Sequence, residues 1–183
     1  MVKVDVGKKY TSEEYLELEK VSATRHEFYY GNIFEMAGTT LAHNLMQKRI
    51  ARILDNLLLA LGYESFTSDV KLMVDNGNVY LYPDVVVAKI NEQLLDAYSI
   101  QNAVLVVEVL SDLTRKYDST DKFIQYNKLE SLQYYLLVEP EKHIVIVYEK
   151  LNGEWFSKPF TELTEEVKLP LLGVNFSLGE IYG

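Results

Sequence analysis

The sequence predicts an α/β (α+β) fold, a sheet of mixed strands with helices packed on it. Three observations lead there. Short strand-like runs fill the middle and the C-terminal third, and turn signals such as Asp75-Asn76-Gly77-Asn78 and Asn152-Gly153 divide them. A long helical pattern covers residues 41–61, and shorter ones cover 12–20 and 118–129. The run Val104-Leu105-Val106-Val107-Glu108-Val109-Leu110 is aliphatic without alternation, apart from one carboxylate. Such a run suits a strand covered on both faces. Strands mixed with three or four helices fit layers of helix on sheet.

The elements follow in order. Thr11-Ser12-Glu13-Glu14 fits a capping box, with Thr11 as N-cap and Glu14 as its partner, so a short helix runs to about residue 20. Residues 25–30 and 33–36 read as a hairpin around a Gly31-Asn32 turn. Leu45, Ile50, Ile53, Leu54, Leu57, Leu58 and Leu61 recur at helical spacing, and Gly62 ends that helix. Residues 63–74 and 79–89 read as a second hairpin. Pro83 has no backbone donor, so it marks a bulge or an edge where Asp84 is presented. Residues 91–98 are a short helix or loop. Residues 103–110 are the buried strand, and Asp118 is the N-cap of a helix with Phe123, Tyr126 and Leu129 on its inner side. Strands over 133–138, 143–149 and 154–160 follow. The tail from Val167 to Gly183 is expected to hold a strand and a terminal turn.

Composition bounds the rest. A chain of 183 residues, 48% hydrophobic and 25% charged, fits a single domain over 1–183 with a sizeable core. It has no cysteine, which excludes disulfides and thiolate metal sites. No apolar run approaches a membrane span, and Met1-Val2-Lys3-Val4-Asp5 carries no signal-peptide core. The protein is expected to be cytoplasmic, with no membrane partner. A net charge of −9 is awkward for a nucleic-acid partner, although local basic patches can coexist with it.

Asp84 opens Val85-Val86-Val87-Ala88, and Glu108 interrupts the most aliphatic run of the chain. Ionised carboxylates in such places need a cation or strong hydrogen bonds. On neighbouring strands the two would form an acidic site that favours a divalent metal. The plainer readings are a turn residue after Pro83 and a strand-end acid reaching solvent. Lys122 falls in the first turn of its helix, where the dipole disfavours a cation. It either leans back over the strand bearing Glu108 or is a solvated lysine.

Several segments carry a resemblance: Tyr82-Pro83-Asp84-Val85-Val86-Val87, Val107-Glu108-Val109-Leu110-Ser111, then Thr114, Asp118 and Lys122, and Ser131-Leu132-Gln133-Tyr134-Tyr135-Leu136-Leu137-Val138. So do Glu27-Phe28-Tyr29-Tyr30-Gly31-Asn32-Ile33, Met36-Ala37-Gly38, His43-Asn44 and Phe176-Ser177-Leu178-Gly179-Glu180-Ile181-Tyr182. Together they make the chain similar to the Uma-two family of the PD-(D/E)XK nuclease superfamily, over nearly its whole length. The resemblance implies a restriction-endonuclease-like fold, a mixed central sheet with helices on both sides. It implies an endonuclease that hydrolyses phosphodiester bonds of nucleic acid, with DNA as the expected substrate, and a homodimer.

It also implies roles. Asp84 and Glu108 take the places of the motif's two acids and, with the Val109 carbonyl, would hold Mg²⁺ or Mn²⁺. The superfamily's usual lysine position is Leu110 here, which cannot serve, and Lys122 matches a lysine moved to the following helix. Glu27 resembles the upstream glutamate. His43 and Asp69 match recurring family positions, and a helix N-terminal side chain is the plainer reading of His43. Arg115 and Lys116, between Glu108 and Lys122, are placed to meet phosphates, and His43 joins them as a substrate-binding candidate. The rival reading is a catalytically inactive nuclease fold serving as a dimeric interaction or nucleic-acid-binding module. No base-reading motif is present.

Overall fold

The computed structural model describes residues 7–36, 38–89, 98–111 and 115–183. Helix α1 (Ser12–Val21) starts at the expected capping box, with Thr11 Oγ1 accepting from Glu14 N and the Glu14 carboxylate accepting from Thr11 N. The hairpin β1 (His26–Tyr29) and β2 (Asn32–Glu35) turns one residue earlier than expected, at Tyr30-Gly31. Both residues have positive φ, 44° and 86°, which matches a two-residue turn to the twist of the strands. Asn32 Nδ2 bonds Tyr29 O and holds that register. Helix α2 (Leu41–Leu58) passes into a 3₁₀ turn over Leu59–Leu61, and Gly62 ends it at φ 81°. Leu45 and Leu61 are exposed, while Met46, Gln47 and Ala51 are buried in their stead.

The hairpin expected over residues 63–89 exists but is divided between two sheets. Its first arm breaks into β3 (Tyr63–Thr67) and β4 (Lys71–Val74), and its second into β5 (Val79–Leu81) and β6 (Val85–Lys89). β3 pairs with β6, and β4 with β5, all antiparallel. The second arm crosses between sheets at Tyr82-Pro83-Asp84. Proline cannot donate to a ladder, so the strand ends there and restarts in the next layer. The stretch expected over 91–98 lies outside the described residues, apart from Tyr98.

Short β7 (Ser99–Ile100) precedes the buried strand β8 (Ala103–Val109). Helix α3 includes a π-helical segment, Tyr117–Lys122, preceded by α-helical Arg115 and Lys116 and continued as Phe123–Tyr126. Asp118 therefore lies inside the helix and not at its cap, and Lys122 sits at the π-to-α junction and not in a first turn. Strands β9 (Tyr134–Glu139), β10 (Ile144–Leu151) and β11 (Glu154–Phe160) follow, with Asn152 and Gly153 at positive φ in the last turn. The tail is richer than expected: β12 (Glu166–Leu169) and β13 (Val174–Ser177) form a hairpin, and α4 (Leu178–Tyr182) closes the chain.

The five-stranded sheet has the order β2-β1-β5-β4-β7, and the six-stranded sheet β11-β10-β9-β8-β6-β3. Each contains one parallel pair, β4–β7 and β8–β9, so both are mixed. The expected α+β class, a mixed sheet with helices packed on it, holds, in the form of two mixed sheets with few helices. The pleat sorts the β6 and β8 side chains. Val85, Val87, Leu105, Val107 and Val109 pack on one face with Ile50, Leu54 and Leu58 of α2. Val86, Ala88 and Val106 pack on the other with Leu72 and Leu81 of the five-stranded sheet and Tyr126 of α3. Cover on both faces is why β8 reads as one aliphatic run. No helix among the described residues is long and apolar enough to cross a membrane.

Candidate active site

The two acids meet where the chain changes sheets. In the β6–β8 ladder Val85 faces Val107 and Val86 faces Val106. One further step of that register sets Asp84 across from Glu108. Glu108 shares a face of β8 with Val106, so it points toward α3 and the five-stranded sheet. Asp84 Oδ2 accepts a 2.7 Å hydrogen bond from Val109 N. Gln47, from α2, donates through Nε2 to both the Asp84 carbonyl and Ser68 Oγ. Helix α2 thereby holds the crossover that presents Asp84.

Lys122 reaches this point from α3 and is buried there. Its Nζ lies 3.1 Å from Glu108 Oε1, 3.3 Å from Asp118 Oδ1 and 3.4 Å from Glu27 Oε1. Tyr126 OH donates to the same Glu108 oxygen at 2.7 Å. Glu27 also accepts from Tyr82 N at 3.2 Å and from Tyr117 OH at 2.7 Å. Glu27 is therefore fixed from three directions, by the crossover and by two residues of α3.

Electrostatics here follow from burial and crowding. Glu108 is 2% exposed. Burial pushes its carboxyl well above the usual range, Asp118 and Asp84 push it the same way, and Lys122 opposes them. For Lys122, burial disfavours the ammonium, but Glu108, Glu27, Asp118 and Asp84 outweigh it and hold the group well above its ordinary value. Lys122 is a firm cation. Burial beside Glu108 likewise keeps the Tyr126 phenol protonated, as a donor.

The groups here are of the hard-oxygen kind that a small divalent cation takes. Asp84, Glu27 and Asp118 already outnumber the one ammonium, and Glu108 is the acid whose charge burial opposes. His43 Nε2, from the start of α2, lies 2.9 Å from Val109 O and 3.2 Å from Asp84 Oδ2. Both oxygens therefore lie against the His43 imidazole. Among the described residues no three His, Asp or Glu side chains are spaced to hold a metal alone. A metal would draw on the Val109 carbonyl and on solvent or substrate oxygens, as Mg²⁺ commonly does.

The other sequence candidates divide. His43 lines the cleft, and its hydrogen bond with Asp84 raises its pKa. Its Nδ1 is buried with no hydrogen-bond partner among the described residues. Asp69 is at the rim, 3.3 Å from Arg25 Nε. Arg115 pairs with Glu139, and Lys116 is exposed, and neither lines the cleft. Sequence reasoning assigned Tyr126 to the core and Asp118 to a cap, and it assigned Tyr117 nothing. The one signal for Asp118 was its spacing from Lys122, four residues apart on a helix. No sequence pattern distinguishes a tyrosine that bonds a carboxylate from one that only packs.

The family model for Uma2 (Uma-two), described as "Putative restriction endonuclease", matches residues 12–179. Two uncharacterized proteins of Synechocystis sp. are similar along nearly the whole chain. Slr1290 is 31% identical over 175 residues, 95% of this chain and 92% of that protein. Sll1609 is 32% identical over 169 residues, 91% of this chain and 94% of that protein. Among solved structures, one described as a "putative nuclease belonging to DUF820" from Anabaena variabilis superposes with a TM-score of 0.74 at 18% identity. That match covers 94% of this chain and 97% of the other, and it shows a shared fold.

Proposed function

The chain belongs to the Uma2 family, and from that membership and the geometry of its cleft we propose a metal-dependent endonuclease that hydrolyses phosphodiester bonds of nucleic acid, DNA in the first instance. One observation carries the reading: the buried Lys122 ammonium lies 3.1 Å from Glu108 on the strand where Asp84 arrives from the crossover. Asp84, Glu108 and Lys122, from three separate parts of the fold, all line one cleft. A structural ion pair needs only two of them.

In this reading Asp84, Glu108 and the Val109 carbonyl hold Mg²⁺ or Mn²⁺. When bound, the ion supplies Lewis acidity for the phosphate and for the attacking water. Lys122 keeps its proton and sets a fixed positive charge where the pentavalent phosphorus gathers negative charge. Glu27 and Asp118 hold the ammonium and keep its stem from turning to solvent. Tyr126 donates to Glu108 and fixes its rotamer. His43 positions the Asp84 carboxylate and the Val109 carbonyl relative to each other.

The test is cleavage of single- and double-stranded DNA and RNA with Mg²⁺ or Mn²⁺, with Asp84→Ala as control. The expected result is metal-dependent cutting that the variant loses while it stays folded. No cutting of any substrate with either metal would leave the inactive-module reading standing instead.

A further inference from the structure

The cleft around Lys122 is large, ≈ 1250 Å³. An ordinary small-ligand pocket holds roughly 300–1,000 Å³, so this one suits a segment of polymer. Its charge is wrong for a duplex. Seven carboxylates line it among the described residues, against two permanent cations, Arg25 and Lys122. Arg25 is paired with Asp69, and Lys122 is enclosed by acids. Duplex DNA carries one negative charge per roughly 1.7 Å, and its binding usually rests on many basic contacts. Little here supplies them.

What the wall does offer is aromatic. In the β1–β2 ladder Phe34 lies directly opposite Glu27, so the two share a face. Tyr29, two residues on from Glu27, lies on that face as well. Its ring contacts Phe34 at 6.4 Å and Tyr117 at 6.2 Å, and the Tyr117 ring is 5.5 Å from Lys122 Nζ. Three rings thus lead from the rim to the lysine. Tyr29 is half-buried and tied by its hydroxyl to Asp121 O at 3.4 Å. Phe34 is 55% exposed and lines the cleft. Tyr30 is different: Lys128 lies over one face of its ring at 5.0 Å, and its hydroxyl is tied to Asp75 and Lys128. Across the cleft Ile124 is 59% exposed and also lines it.

A lone exposed apolar residue is ordinary, but a ring series that ends at the lysine of a cleft is not lone. We propose that Phe34, backed by Tyr29, is a stacking site for an unpaired nucleobase, and that the cleft takes single-stranded nucleic acid in preference to duplex. The proposal rests on the nuclease reading of the cleft. Stacking is indifferent to which base is present and supplies affinity where phosphate contacts are few. An unpaired strand also brings half the charge density of a duplex into an acidic cleft.

The test has two arms. In the first, Asp84→Ala protein, which the nuclease reading makes unable to cut, is titrated into an unpaired 12-mer carrying 2-aminopurine. Stacking quenches the fluorescence. Adding Phe34→Ala is expected to weaken the quench and raise Kd about tenfold. Phe34→Trp should restore it, and Phe34→Leu, which keeps an apolar side chain without a ring, should not. An abasic 12-mer should bind both proteins alike. In the second arm, wild-type protein with Mg²⁺ is expected to cut the unpaired strand with a higher kcat/KM than the same strand in a duplex. Phe34→Ala should lower that value through KM.

Equal quenching with and without Phe34, full rescue by leucine, or tighter binding of duplex would overturn the stacking site. The two readings separate cleanly. Duplex cutting indifferent to Phe34 sinks this inference and spares the nuclease. Phe34-dependent quenching with no cutting of any strand does the reverse.

Discussion

At the scale of single residues, Lys122 is the group on which the site turns. Three carboxylates lie within 3.4 Å of its Nζ. Removing the ammonium strands them in a buried place, and breaking such a pair costs about 3–5 kcal/mol. Lys122→Met is therefore expected to lower stability by about that much in urea unfolding at neutral pH. The deficit should shrink in acid, where the stranded carboxyls take up protons. A deficit under about 1 kcal/mol, or one indifferent to pH, would mean that the carboxylates do not depend on the lysine. Tyr126→Phe removes only a donor to Glu108 and is expected to cost about 1–3 kcal/mol. That Glu108 needs a partner was legible in the sequence, because a charge inside an aliphatic strand needs one; that Lys122 supplies it was implied only by the family resemblance. The tyrosines were not legible, since packing and hydrogen bonding use the same side chain. Leu110, for its part, is buried in the core and offers no substitute cation.

At the scale of elements, the crossover at Tyr82-Pro83-Asp84 decides where the acid goes. Pro83 announced a break, but periodicity does not say which sheet a strand joins, so two broken arms looked like one hairpin. Gln47 ties α2 to both arms where they break, through Ser68 on the first and the Asp84 carbonyl on the second. Gln47→Leu removes the donor from these two half-buried acceptors and is expected to cost about 0.5–1.5 kcal/mol. It should also weaken metal binding by Asp84, read by calorimetric titration with Mn²⁺. Unchanged affinity would show that α2 does not position the acid. A second clip joins the β1–β2 turn to the end of α3: Tyr30 OH donates to Asp75, and Lys128 Nζ bonds both. These bonds, Tyr30 first, hold the Asp75 carboxyl below its ordinary value. A depressed carboxyl stabilises the fold above its unfolded pKa and loses that contribution as pH falls through the folded one. Asp75→Asn is expected to be less stable than wild type at neutral pH, with the gap closing at the acid end. A gap constant across pH would remove the clip from the account.

At the scale of the whole molecule, the sequence carried the class and order of most elements but not their layering. The aliphatic β8 run called for cover on both faces, and it has it, from α2 on one side and the five-stranded sheet and α3 on the other. The tail strands β12 and β13 are four residues each, too short for periodicity to separate from a turn. The site lies where the two sheets and two helices approach one another, so its residues come from distant parts of the chain. A net charge of −9 deepens its acidity. A divalent cation would relieve that repulsion, and a ligand bound only by the folded state raises the melting temperature. The central claim is that Glu108 is a metal ligand of a nuclease. The most direct measurement compares wild type with Glu108→Gln, by melting temperature with and without Mn²⁺ and by cleavage of labelled DNA. Glutamine keeps the size of the side chain and removes its charge. The wild type is expected to be stabilised by the metal and to cut, and the variant to melt at least as high in metal-free buffer, ignore the metal and leave the DNA whole. Equal metal responses in the two proteins, or cleavage that survives the substitution, would contradict it.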